Sequence, residues 1–121
     1  MSTQRIALGK RGEAVAASHL NERGYRILAR NFRQKSGEID IVCTDGECYV
    51  FVEVKTRRDA TYGDPVESVT ARKQRQIIRA ASLYLARNKL SDVAVRFDVI
   101  GIILDGDKTE LTHIVDAFDG G

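Results

Sequence analysis

Two strongly β-forming runs, Gly37-Glu38-Ile39-Asp40-Ile41-Val42 and Val50-Phe51-Val52-Glu53-Val54-Lys55, flank Thr44-Asp45-Gly46-Glu47. An Asp-Gly pair between alternating segments is a preferred centre for a two-residue hairpin turn, so the sequence predicts one antiparallel hairpin. With Asp45-Gly46 as the turn, Thr44 faces Glu47, Cys43 faces Cys48, Val42 faces Tyr49, Asp40 faces Phe51 and Glu38 faces Glu53. Paired residues share a face. One face then carries Ile39, Ile41, Val50, Val52 and Val54, suited to a core, and the other carries Glu38, Asp40, Glu53 and Lys55. Asp40 and Glu53 become diagonal neighbours with Cβ atoms roughly 7–8 Å apart, from which two carboxylates can lean toward one cation. Three carboxylates on one patch repel unless protonated or neutralised, and a divalent ion with hard oxygen ligands complements them. The solvated outer face of an edge hairpin gives the same pattern.

The chain of 121 residues is read as one domain, residues 1–121, with 43% hydrophobic and 30% charged residues. A chain of this length buries about two-thirds of its unfolded surface and needs no disulfide. No apolar run is long enough to span a membrane, and Met1-Ser2-Thr3-Gln4-Arg5 leads into no signal-peptide core, which predicts a cytoplasmic protein. Net charge is only +2, so an argument for nucleic acid rests on where the charges sit. Lys10, Arg11, Arg57, Arg58, Arg72, Lys73, Arg75 and Arg79 fall in three segments around the hairpin, a candidate phosphate-binding rim or a set of ordinary basic surfaces. Cys43 and Cys48 read as two small buried hydrophobes in a reducing compartment.

Around the hairpin, the first predicted element is a helix from Leu8 to Arg23 closed by Gly24, with Glu13, Ala16, Ala17 and Leu20 on one face. Glu13 there either joins a site or complements the helix dipole, and Gly9 and Gly12 permit close approach of a backbone or a phosphate. Tyr25 to Phe32 is a first strand. Thr56 to Asp64 is a mobile loop beside the charged face, ending near the single proline, Pro65. A helix from Val69 to Asn88, capped by Ser68 or Thr70, buries Gln74, Ile77, Ile78, Ala81 and Leu85. Gln74 either orients water or a ligand carboxylate or bonds a nearby backbone group. Val95 to Leu104 suits a sheet interior and, reached by a right-handed crossover, runs parallel to the Glu53 strand. Arg96 and Asp98 form an ion pair at its start, and His113 is structural. After a turn at Asp105-Gly106-Asp107-Lys108 comes a last strand, Glu110 to Asp116, and then a frayed end from Phe118 to Gly121.

An aspartate followed on the next strand by Glu-x-Lys resembles the restriction-endonuclease-like nuclease superfamily. The Glu13 helix, Gly37-Glu38-Ile39-Asp40 and Glu53-Val54-Lys55-Thr56 are similar to its archaeal Holliday-junction resolvase branch. Gly12-Glu13, Phe51-Val52-Glu53-Val54-Lys55-Thr56-Arg57, Lys73-Gln74 and Arg96-Phe97-Asp98-Val99 resemble, over nearly the whole chain, the YraN-type uncharacterised bacterial family. The resemblance implies an α/β fold with a central mixed five-stranded sheet flanked by helices, in the order α-β-β-β-α-β-β. It implies a Mg²⁺- or Mn²⁺-dependent endonuclease hydrolysing DNA phosphodiester bonds, branched or structured DNA among them, and a homodimer by analogy with resolvases. Asp40 and Glu53 would bind the metal with the carbonyl of Val54, and Glu13 would complete the site or support a second ion. Lys55 would position or deprotonate water, and Gln74 sits where related nucleases carry a helix glutamine, without the aromatic four positions on. A module that binds nucleic acid or serves assembly without turnover is the alternative on the same fold.

Overall fold

A computed structural model describes residues 3–59 and 65–120 of the chain. Its elements are α1 (Thr3–Glu22), β1 (Arg26–Gln34), β2 (Gly37–Asp45), β3 (Cys48–Arg57), a 3-10 turn (Pro65–Ser68), α2 (Ala71–Arg87), β4 (Val95–Asp105) and β5 (Lys108–Phe118). The strands form one sheet in the order β1-β2-β3-β4-β5. Neighbours are antiparallel except β3 and β4, which run parallel across the α2 crossover. This is the α/β architecture and element order expected. No helix among the described residues is long and apolar enough to cross a membrane.

The sheet is buried on both faces, which corrects the expected split into an apolar and a charged side. Ala16, Ala17 and Leu20 of α1 pack on Ile41, Cys43, Val50, Val52, Ile100 and Ile102. On the opposite face Ile77, Ala80, Ala81 and Tyr84 of α2 pack on Ile39, Val42, Phe51, Phe97 and Val99. Alternate residues of a regular strand share a face. Ile39 and Ile41 nonetheless belong to different cores, so β2 changes sides at Asp40.

The hairpin forms, but in a register two positions away from the expected one. Asp45 pairs with Cys48, Cys43 with Val50 and Ile41 with Val52, so the cysteines are not cross-strand partners. Both are free and Cys43 is buried. Gly46, with φ 61, is the first loop residue, the arrangement of a II′ turn, rather than the second as an Asp-Gly centre would have it. Asp105 and Lys108 close the β4–β5 hairpin in the same way around Gly106, with φ 59.

The helices hold the sheet at close range. Helix α1 begins at Thr3, five residues before expected, and ends where Gly24 donates to the Asn21 carbonyl and Tyr25 to that of Leu20. A Cβ on Gly12 would sit 2.7 Å from Cβ of Thr56, so this glycine lets α1 lie directly on β3. Helix α2 starts after Thr70, whose hydroxyl accepts from the Lys73 amide. Strand β3 extends through Thr56 and Arg57, which shortens the expected loop, and residues 60–64 of that loop lie outside the described residues. The C-terminal end is not frayed at Phe118, whose ring stacks on Phe97 at 5.1 Å while Gly120 packs against the same ring.

Candidate metal centre

The carboxylates meet where β2 and β3 part. Their ladder ends at Ile41 and Val52. One step beyond, that register sets Asp40 against Glu53, nearer than the diagonal the sequence predicted, and the Val54 amide donates to Asp40 Oδ2 at 2.7 Å. A strand residue sends its N–H and C=O to the same edge, so the Val54 carbonyl faces this gap as well. On the far side of β2, Asn31 of β1 falls opposite Asp40, between the Arg30–Ile41 and Phe32–Ile39 pairs. Its φ of 56 marks a left-handed kink that asparagine tolerates better than most residues. Both strands are therefore irregular at the level of Asp40.

Glu53 is only 3% exposed, and its Oε2 lies 3.8 Å from Lys55 Nζ and 3.5 Å from Lys73 Nζ. Burial, then the hydrogen bond and charge of Glu53, push the Asp40 carboxyl up to about 8, against a weaker opposing pull from the Val54 amide and Lys73. Two carboxyl groups in contact resist ionising together, which favours the protonated form of Asp40.

Glu13 lines the same cleft as Asp40. Its Oε1, however, accepts from Arg30 Nε and Asn31 Nδ2, each at 3.1 Å. Glu38 pairs with Arg33 at 3.4 Å on the rim. No group of three His, Cys, Asp or Glu side chains placed to share an ion occurs among the described residues. The donor set at Asp40 and Glu53 still suits Mg²⁺ or Mn²⁺. Magnesium is commonly bound by one or two carboxylates, with waters and substrate phosphates supplying the rest. A contacting pair of carboxyl groups offers hard oxygen donors for such a half-shell.

Gln74 is committed elsewhere, its side-chain amide donating to the Val69 carbonyl at 3.2 Å. Lys73 takes the place at the dyad that the sequence offered to Gln74. Its spacing to Ile77, Ala80, Ala81 and Tyr84, the residues α2 buries, was the signal for this.

The basic residues do not form one rim. Lys10 lines a cleft of about 780 Å³ with Arg5, Arg30 and Arg33, around Glu13 and Asp40. Arg11 and Arg58 line a neighbouring hollow, where Arg58 donates to Gln4. Arg57 is half-buried with its Nε unpartnered. Arg72, Arg75 and Arg79 are exposed on α2, across the sheet from α1.

Arg96 and Asp98 form a separate structural knot. Arg96 donates to both Asp98 oxygens at 2.9 and 3.0 Å and also to Asp45 and Tyr25. His113 meets Asp98 at 2.7 Å and His19 at 3.0 Å. These are the ion pair and the structural histidine that the sequence predicted.

The model of an uncharacterised protein family, UPF0102, matches residues 12–102. A UPF0102 protein of Pelobacter propionicus is 57% identical over 114 residues, covering 92% of this chain and 81% of its own. Relatives of the same description from Geobacter metallireducens and Syntrophotalea carbinolica are 48% and 49% identical over 119 residues. They cover 98% of this chain and 98% and 97% of their own lengths.

Proposed function

The chain belongs to the uncharacterised protein family UPF0102, the YraN-type family that its motifs resemble, and we propose that it is a metal-dependent endonuclease hydrolysing DNA phosphodiester bonds. The observation that carries this reading is the buried Asp40–Glu53 contact with two lysine ammonium groups on the same Glu53 oxygen. Asp40, Glu53 and the Val54 carbonyl would hold Mg²⁺ or Mn²⁺, which when bound neutralises charge on the scissile phosphate and lowers the pKa of water.

The chain's own groups account for the rest. Val54 donates through its amide and so orients Asp40 Oδ2. Lys55, anchored two residues from Glu53 on the same strand, sets an ammonium beside the reacting phosphate, where it stabilises developing negative charge. Arg30 and Asn31 fix Glu13 on the cleft wall, so that Glu13 shapes the approach or supports a second ion from there. Lys10, Arg5 and Arg33 give the cleft a rim to which phosphates can pair.

Labelled junction, flap, single-stranded and linear DNA incubated with the protein in Mn²⁺ tests the reading. Cutting of at least one substrate, abolished in Asp40→Ala while binding persists, is the expected result. Salt-sensitive binding with no cutting and no response to metal would instead establish a binding module on the same fold.

A further inference from the structure

Lys73 is more than a basic residue near the dyad. Its ammonium and that of Lys55 contact the same oxygen of a glutamate that water scarcely reaches. A divalent ion binds carboxylate oxygen at about 2.0–2.1 Å, and that oxygen cannot keep two ammonium groups at salt-bridge distance beside a dication. An ion seated on Oε2 rather than on Oε1 therefore displaces one of the two lysines. Lys55 is tethered to the same strand two residues from Glu53, whereas Lys73 reaches across from α2 on a flexible stem.

The structure also offers Lys73 a destination. A hollow of about 240 Å³ on the α2 side of the sheet is lined by Lys73, Lys35, Gln34, Gly37, Glu38 and Gln76. Its frame is fixed, because Gly37 lies so close to Gln76 that a Cβ there would come 2.5 Å from the Gln76 carbonyl oxygen. The backbone beside Lys73 is thereby held, and its side chain already borders the hollow while its ammonium reaches Glu53. Glu38 lines both this hollow and the larger cleft on the α1 side, so the two depressions meet at the parted end of β2.

Resting on the nuclease reading, we propose that Lys73 is the internal counter-cation of Glu53, displaced by the divalent ion into the hollow, where with Lys35 it holds a nucleic-acid phosphate adjoining the scissile one. The substrate strand then passes from the α1-side cleft over Glu38 into the α2-side hollow and leaves at both ends. That path suits cutting within a strand rather than at a terminus.

Mn²⁺ binding to the protein without DNA, followed by electron paramagnetic resonance of the free ion, tests the displacement. Lys73→Gln is expected to bind Mn²⁺ at least about threefold more tightly than the wild type, since the competing charge is gone. In Ca²⁺, the same variant is expected to bind single-stranded DNA more weakly, with its salt dependence reduced by about one counterion. Lys35→Gln is expected to lose DNA affinity with no gain for Mn²⁺. Lys73→Met, which keeps the aliphatic stem, repeats the metal measurement should the glutamine variant melt early. Wild-type binding that Lys73→Gln and Lys73→Met leave unchanged or weaken overturns the displacement and spares the nuclease reading. Failure of the wild type and both variants to bind Mn²⁺, alone and with DNA present, overturns both.

Discussion

Asp40 and Asp98 are both acids inside the fold, and their surroundings push them in opposite directions. Burial first, then Glu53, raises the Asp40 carboxyl from 3.8 to about 8. The folded chain therefore keeps a proton that the unfolded chain has released. Stability linked to that proton is whole below about pH 4 and is lost as pH climbs toward 8. Without metal, Asp40→Asn should melt above the wild type by several degrees near pH 8, with the gap closing toward pH 4; thermal melts showing a constant gap would refute this. Burial alone would raise Asp98 as well, but bonds from His113, Arg96 and the Asp116 amide bring it below its usual value. Its contribution is present above the unfolded value and is lost as pH falls. Asp98→Asn strips a buried ion pair of its charge and should cost about 3–5 kcal/mol in a urea titration at pH 7. A loss under about 1 kcal/mol would mean that the knot around Arg96 is not structural. Asp40, Glu53 and Lys55 were legible as a group because charges inside β-forming runs are conspicuous. Lys73 was legible as a candidate phosphate-rim residue but its place beside Glu53 only by helical spacing, and Asn31 hardly at all, since nothing in its neighbours announces a left-handed kink within a strand.

At the level of elements, the packing of α1 on β3 decides where the cleft wall stands. Gly12 was visible as a place for close approach, and the partner turns out to be Thr56 rather than a ligand, while Gly9 faces open space. Gly12→Ala forces a methyl against a strand side chain and should destabilise by about 1–3 kcal/mol. It should also tilt α1 and carry Glu13 off Arg30 and Asn31, so DNA binding in Ca²⁺ is expected to weaken even at temperatures where the variant stays folded. Wild-type affinity together with wild-type stability would show that α1 has room to spare. The hairpin itself was readable from its alternation and turn, but its register was not. Both hairpins place glycine first in the loop, and the Asp-Gly pair names the turn without saying which of the two residues leads it. The observed register differs from the one an Asp-Gly centre implies by an even number of positions, so Asp40, Glu53 and Lys55 stay within reach of one another. The buried second face is hard to read from sequence because Val42 and Phe51 alternate along their strands with charged residues on the same side.

For the molecule as a whole, two cores on opposite faces clamp the middle of the sheet and leave the parted end of β2 and β3 to hold charge. Lys55 and Lys73 balance Glu53 there but leave Asp40 without a cation in contact, and a dication would give both carboxyl groups one partner. Binding to the folded state alone stabilises by mass action, about 2.7 kcal/mol at a concentration one hundred times Kd. Because the ion takes the place of the proton on Asp40, its apparent affinity should rise from pH 6 to pH 8 and flatten above that. Mn²⁺ is therefore expected to raise Tm by several degrees at pH 8 and by much less at pH 6, and to leave Asp40→Asn nearly unmoved at either pH. The sign of the pH effect is the discriminating part. Adventitious ions on exposed carboxylates, which ionise near pH 4, would shift Tm equally at both pH values, and that outcome would deny the dyad any role in holding metal.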